Sequence, residues 1–173
     1  MFRRKKRRDE WHDHLPDRLP RDTLVAPIKV HPMALFLTSL FFGWAVDALT
    51  RWRLGGGSIR IWLAVAVMIG GLALMMWAIQ QYRRAATSPD VKHKPEALVT
   101  TGPYRFSRNP MYLAFCGVVA GLAVALNLPG AVIALVPAAI VLHYKVVLIE
   151  EGFLRGMFGA EFDDYCRRTR RWL

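Results

Sequence analysis

Four apolar runs, at about 33–50, 59–79, 111–126 and 131–149, each with no more than one Asp, Glu, Lys or Arg, limit what this chain can fold into. A helix rises about 1.5 Å per residue, so roughly 17–25 residues cross the hydrocarbon core of a bilayer, where backbone groups must satisfy one another within the helix. The second and fourth runs meet that length easily, the first is adequate, and the third is short. The connection Asn127-Leu128-Pro129-Gly130 is uncharged and carries a Pro-Gly turn signal, so the third and fourth runs are expected to form a tight helical hairpin. The predicted fold class is an all-α integral membrane protein with about four transmembrane helices. A C-terminal amphipathic helix is expected from Glu150 to Arg168, with Phe153, Leu154, Met157, Phe158 and Phe162 on its apolar side.

The formal net charge of +11 does not point to nucleic acid, because the basic residues lie in blocks between the apolar runs rather than on one folded face. Arg3 to Arg8, Arg18, Arg21 and Lys29 precede the first run. Arg83, Arg84, Lys92, Lys94, Arg105 and Arg108 lie between the second and third, and Arg155, Arg167, Arg168, Arg170 and Arg171 follow the fourth. Only Arg51, Arg53 and Arg60 fall on the other side. With four spans this bias puts both termini and the loop from Gln80 to Pro110 in the cytoplasm, with a bacterial inner membrane as the expected location. The basic run at Arg3–Arg8 is followed by Asp, His and Pro rather than an apolar core, so no cleavable signal is read there. Residues 1–30 read as a basic cytoplasmic arm, either attracted to anionic lipid or serving as a solvated topology determinant. Residues 31–79 read as the first two spans, and 80–173 as the part that holds the site. Cys116 and Cys166 have neither disulfide nor metal-ligand spacing, and no metal site is expected.

Chemistry-bearing residues gather at the entrance to the third run and at the end of the fourth. Gly102-Pro103 sets a turn, Tyr104, Phe106 and Tyr112 supply aromatics, and Arg105 and Arg108 supply charge. Asn109-Pro110 marks a helix start, whose free N–H groups suit an anionic ligand group. Glu150-Glu151 stands at the far end of the fourth run, seven residues, or about two helical turns, beyond His143-Tyr144. His143 and Glu150 are therefore expected on one face. Two adjacent carboxylates at a membrane boundary need a cationic or hydroxyl-rich partner. Arg105, Arg108 or Arg155 would make a structural ion pair; a ligand bearing an ammonium or a ribose would make a functional one.

Taken together, three blocks resemble the isoprenylcysteine carboxyl methyltransferase group of integral membrane enzymes, with the related phospholipid methyltransferases. They are Leu98-Val99-Thr100-Thr101-Gly102-Pro103-Tyr104, Arg108-Asn109-Pro110-Met111-Tyr112, and Glu150-Glu151 followed by Leu154, Phe158-Gly159-Ala160-Glu161-Phe162 and Tyr165. The likeness covers roughly residues 79–173. It implies S-adenosylmethionine as methyl donor, with Glu96, Ala97, Leu98, Val99, Tyr104, Asn109, Pro110, Met111, Tyr112 and Glu150 around it. It further implies a lipophilic or lipidated acceptor drawn from the bilayer, either a carboxylate or a lipid head group. Many members have His at the position of Asn109, and the substrate-contacting Arg of the eukaryotic enzymes falls at Val146. Arg108, His143 and Glu151 are the candidates for catalytic roles, His143 or Glu151 serving as base if the acceptor is an amine or a hydroxyl. The alternatives are an NADPH-dependent membrane reductase similar to the sterol reductases, and a non-catalytic tetraspan with a degenerate site.

The remaining features read structurally. Gly117-x-x-x-Gly121 predicts close helix packing, and Asp47 four residues before Arg51 predicts a local ion pair. Gly55-Gly56-Gly57 predicts a turn, and Trp44, Trp52, Trp62 and Trp77 predict interfacial anchors. The terminal arginines read as a surface patch.

Overall fold

A computed structural model describes residues 30–85 and 96–173, so the basic arm, apart from Val30, and the breaker segment around Thr87–Pro95 lie outside the described residues. The described chain is helical: α1 Pro32–Thr50, α2 Gly57–Arg84, a 3-10 turn Gly102–Arg105, α3 Pro110–Ala125 and α4 Pro129–Leu142. A π-helical turn His143–Val147 then leads into α5 Leu148–Phe158, and α6 Ala160–Arg168 follows. No strand is present among the described residues, only an isolated bridge between Ser107 and Arg170.

Three helices are long and apolar enough to cross a membrane: α1, α2 and the continuous 30-residue helix Pro129–Phe158 made of α4, the π turn and α5. At 16 residues α3 is shorter, about 24 Å against a hydrocarbon core of about 30 Å. It packs along α2 through small residues. A Cβ on Gly71 would come within 3.0 Å of the Ala114 carbonyl, and one on Gly121 within 2.8 Å of the Ala64 carbonyl. Gly117 faces Gly71 across the same seam. The Gly-x-x-x-Gly spacing thus lets two backbones approach, which in lipid replaces the hydrophobic driving force between helices. Large apolar side chains point outward instead, with Phe41 68% and Trp62 72% exposed. In water such a surface would mark an interaction site; around a helix bundle of this composition it faces lipid.

At one end of the bundle the connections are tied by polar side chains. Arg60 Nη1 donates to the carbonyls of Val124 and Ala125, answering the free C-terminal acceptors of α3. Leu54 N–H donates to Asn127 Oδ1, and Asn127 turns the hairpin with φ +62°. Asp47, fully buried on α1, accepts the Gly130 N–H with both carboxylate oxygens at 3.0 Å. The local ion pair expected from the Asp47–Arg51 spacing therefore gives way to a long-range cap. The first turn of α4 has free donors, and an anion there is favoured by both the hydrogen bond and the helix dipole. Asp47→Ala is expected to cost about 2 kcal/mol, since it strands a buried N–H as well as removing the cap. Thermal unfolding in detergent checks this, and an unchanged midpoint would contradict the capping role.

At the opposite end the expected amphipathic helix of Glu150–Arg168 is two helices. Its first half, α5, continues the spanning helix and turns Glu151 inward, where it is buried. The chain breaks at Gly159, whose φ of +52° ends α5, and α6 folds back. Phe162, 1% exposed, and Tyr165 anchor α6 in a core with Ala78, Val99 and Tyr104. Burial of a phenylalanine of this kind contributes about 1.5–3 kcal/mol, enough to fix a nine-residue helix that would not hold alone.

Candidate active site

The site is built where the end of α2, the 97–109 segment, α5 and α6 meet. Gly102 sits at φ +61° because its backbone lies flat against Gln81 of α2; a Cβ there would come within 2.6 Å of the Gln81 Cδ. Thr101 Oγ1 donates to Gln81 Oε1 at 3.0 Å, pinning the turn. Pro103 and Tyr104 are buried, and the Tyr104 ring meets Tyr82 edge to face at 5.5 Å. Tyr165 Oη donates to the Tyr104 carbonyl at 2.8 Å, so α6 holds this turn from the other side. Burial pushes the Tyr104 and Tyr165 hydroxyls well above the ordinary tyrosine range, leaving both as neutral hydrogen-bonding groups.

The cleft between these elements is lined by Tyr82, Leu98, Val99, Tyr104, Glu150 and Phe162, with Ala97, Arg108, Asn109, Glu151, Leu154 and Tyr165 completing it. Of the residues expected around a ligand, Ala97, Leu98, Val99, Tyr104, Asn109 and Glu150 line it directly. Tyr112 reaches it through its hydroxyl, which donates to Glu150 Oε1 at 2.6 Å. Met111 packs against the hydrophobic cluster beneath the cleft, Pro110 is buried as the first residue of α3, and Glu96 stands just outside the lining. Tyr82, Leu154 and Phe162 are lining residues that the sequence reading did not name as ligand contacts. The signal for Tyr82 was its position at the polar end of a spanning helix, where an aromatic reads equally as a lipid anchor.

The two carboxylates are treated very differently. Glu151 is ion-paired twice. Arg171 meets it in a two-pronged contact, Nε to Oε1 at 2.9 Å and Nη2 to Oε2 at 2.8 Å, and Arg108 Nε donates to Oε1 at 3.0 Å. Arg108 also donates from Nη1 to the carbonyls of Thr169 and Cys166, closing the end of α6. Glu150 has no cation beside it among the described residues; it accepts a hydrogen bond from the Tyr112 hydroxyl. Of the arginines expected as structural partners, Arg108 is one, whereas Arg155 pairs with Asp163 and lies over the Phe162 ring.

His143 is placed elsewhere. Its Nδ1 accepts the Trp172 indole N–H at 3.2 Å, and it lines a separate apolar groove with Leu113, Cys116, Val136, Ile140 and Tyr144. The π turn explains why His143 and Glu150 do not share the expected face: one extra residue in the turn offsets the two-turn register by roughly 100°. Asn109 stands at the N-cap position of α3, yet its side chain does not cap the helix. Its Nδ2 donates to the Arg171 carbonyl at 3.0 Å, and its own N–H goes to Ser107 Oγ. Val146 is fully buried in the core between α1, α3 and α4, so no cation from that position reaches the cleft.

Among curated proteins, a nickel-cobalt-cadmium resistance protein, NccN, of Alcaligenes xylosoxydans xylosoxydans is 42% identical over 77 residues. The aligned stretch is 44% of this chain and spans about a third, 35%, of that protein's length. Among the described residues here, no group of three or more His, Cys, Asp or Glu side chains is placed to hold a metal ion. The sequence model of the phospholipid methyltransferase family matches residues 59–161, from the start of α2 through the Glu pair to the first turn of α6. That span is more than half of the chain and takes in the cleft with most of its lining, and the chain belongs to the phospholipid methyltransferase family of membrane methyltransferases.

Proposed function

We propose that the chain is an S-adenosylmethionine-dependent methyltransferase of the isoprenylcysteine carboxyl methyltransferase type, acting on an acceptor that partitions into the bilayer. The observation that carries this reading is the asymmetry of the Glu pair. Glu151 is ion-paired with Arg108 and Arg171, while Glu150, facing the same cleft, has no cation beside it among the described residues and is left to meet a ligand. A carboxylate beside Tyr82 and Tyr104, with Leu98, Val99 and Phe162 around it, has the chemistry to contact a ligand that joins a cationic or hydroxyl-bearing part to a flat ring, and the cleft, about 80 Å³ as it stands, must widen to admit one. Those residues match the donor's chemistry: Glu150 would hold its ammonium or ribose hydroxyls, and the aromatic and aliphatic wall its adenine.

When bound, the sulfonium donor supplies an already activated methyl group. The chain's own task is then orientation and exclusion of water, for which well-fixed positioning is worth about 7–11 kcal/mol in favourable cases. Tyr82, Tyr104 and Phe162 wall the cleft, and Glu150 fixes one end of the ligand. Neither candidate base is free to take a proton from an acceptor. Glu151 is held by two arginines, and His143 is turned into the other groove against Trp172. An acceptor that arrives ionised needs no base, so a carboxylate is the favoured nucleophile, and the product an ester. The buried Val146 offers no cation to orient that carboxylate, so the acceptor is a lipophilic acid in general rather than a prenylated cysteine in particular. The concentration of lysine and arginine at the end carrying the cleft, against Arg51, Arg53 and Arg60 at the other, supports a cytoplasmic cleft and cytoplasmic termini.

Titration calorimetry of the purified protein in detergent tests the donor. Saturable binding of S-adenosylmethionine, displaced by its demethylated product, is expected, with no binding of NADPH in a parallel titration. Saturable NADPH binding without the sulfonium compound would replace this reading by the reductase. Methyl-labelled donor incubated with the protein and a bacterial lipid extract is expected to give a lipid-soluble label released by mild alkali. A label stable to alkali would point to an amine or ether instead.

A further inference from the structure

The segment 169–172 runs along residues 107–109 at the edge of the cleft as an extended strap. Ser107 Oγ donates to the Arg171 carbonyl at 3.2 Å, as does Asn109 Nδ2, and the Arg108 N–H donates to the Arg170 carbonyl at 2.9 Å. Thr169 is extended, at φ −127° and ψ 132°, and side chains alternate along such a strand. Arg171 is thereby delivered to Glu151 and Trp172 to His143. Its hydrogen bonds to Glu151 hold the Arg171 guanidinium above its already high ordinary value, so it is a permanent positive charge.

We propose that Arg171 is a positioning residue for the donor site: by neutralising Glu151 it leaves Glu150 as the carboxylate that meets the ligand, and so sets the balance between a cationic ligand and its neutral product. The inference rests on the functional reading above. At the cleft Glu151 is ion-paired with Arg108 and Arg171, while Glu150, outside that network, is hydrogen-bonded to Tyr112. Arg155 is engaged outside it by Asp163. Without Arg171 the cleft edge loses one positive charge, and Glu151, held by Arg108 alone, competes with Glu150 for the ligand's cationic groups. Methyl transfer removes the sulfonium charge, so the demethylated product gains less from that extra negative charge than the donor does.

The test compares equilibrium affinities for S-adenosylmethionine and its demethylated product in the full-length protein, so the acceptor need not be known. In Arg171→Gln the ratio of donor to product affinity is expected to rise about fivefold, the scale of one charge acting through solvent-screened surroundings. The double variant Arg171→Gln/Glu151→Gln restores electrical balance and is expected to return the ratio to the wild-type value. Arg171→Lys keeps the charge without the two-pronged geometry and is expected to leave the ratio near wild type. If the strap served only to hold the tail down, both ligands would weaken together in Arg171→Gln, and Glu151→Gln would not bring them back. That result overturns the proposal. Should Arg171→Gln fail to fold, the Lys and double variants carry the same comparison, and a ratio displaced in either one overturns it. Failure of the wild type to bind either ligand is a different outcome, one that removes the methyltransferase reading itself and this inference with it.

Discussion

Replacing Glu150 with glutamine is expected to lower donor affinity by about 30-fold or more while the protein stays folded. The magnitude follows from the position of the carboxylate, which lines a cleft with largely aromatic and aliphatic walls and has no cation beside it among the described residues. Removing one partner of a charge-assisted contact in such surroundings costs about 2–5 kcal/mol, and the lower end of that range is already a change of about 30-fold. The fold is spared because among the described residues Glu150 bonds only the Tyr112 hydroxyl, and a glutamine side-chain oxygen accepts the same proton. Loss of an unpaired, partly desolvated charge is also no burden to stability. Calorimetry for affinity and thermal unfolding for stability separate the two effects. A Glu150→Gln protein that binds S-adenosylmethionine within threefold of the wild type would falsify the assignment of Glu150.

The parts of this site that could be read from the chain are those fixed by neighbours in sequence. Gly102-Pro103 and Asn109-Pro110 announce a turn and a helix start because backbone sterics determine them locally, and the structure has a 3-10 turn and the start of α3 at those places. The Gly117-x-x-x-Gly121 spacing likewise foretold close packing of α3, although not that its partner is α2. What could not be read is whatever depends on distant partners. Arg171, counted among a surface patch, reaches Glu151 only because α6 folds back at Gly159 and the strap crosses Ser107 and Asn109. Asp47 had an arginine four residues away, yet its partner is a backbone N–H 83 residues on, since a buried helix start is a stronger need than a local pair in contact with solvent. The π turn hid a third relation. His143-Tyr144-Lys145 lies inside the fourth apolar run, and nothing in composition marks the extra residue that turns His143 away from Glu150.

The largest effect on folding is expected at Gly43. An ideal Cβ there would lie 2.1 Å from the Ala131 Cα and 2.2 Å from its nitrogen, so the obstruction is backbone and no rotamer relieves it. Gly43→Ala must therefore push α1 off α4. The shift would be felt one turn along α1, where Asp47 caps Gly130, because residues four apart share a helix face. Overpacking of a tight seam costs about 1–3 kcal/mol, and loss of the buried cap adds about 1–2 kcal/mol more. Gly43→Val is expected to leave too little stability for a monodisperse preparation in detergent, and Gly43→Ala a lower unfolding temperature. Gly70→Ala is the matched control. It is the same chemical change inside a spanning helix, but a Cβ on Gly70 meets nothing within 4 Å. That variant is expected to unfold at the wild-type temperature or slightly above it, because alanine forms helix more readily than glycine by up to about 1 kcal/mol. Equal behaviour of the two alanine variants would mean that α1 and α4 do not approach as closely as the Gly43–Ala131 contact requires, and the path by which Asp47 reaches the first turn of α4 would have to be redrawn.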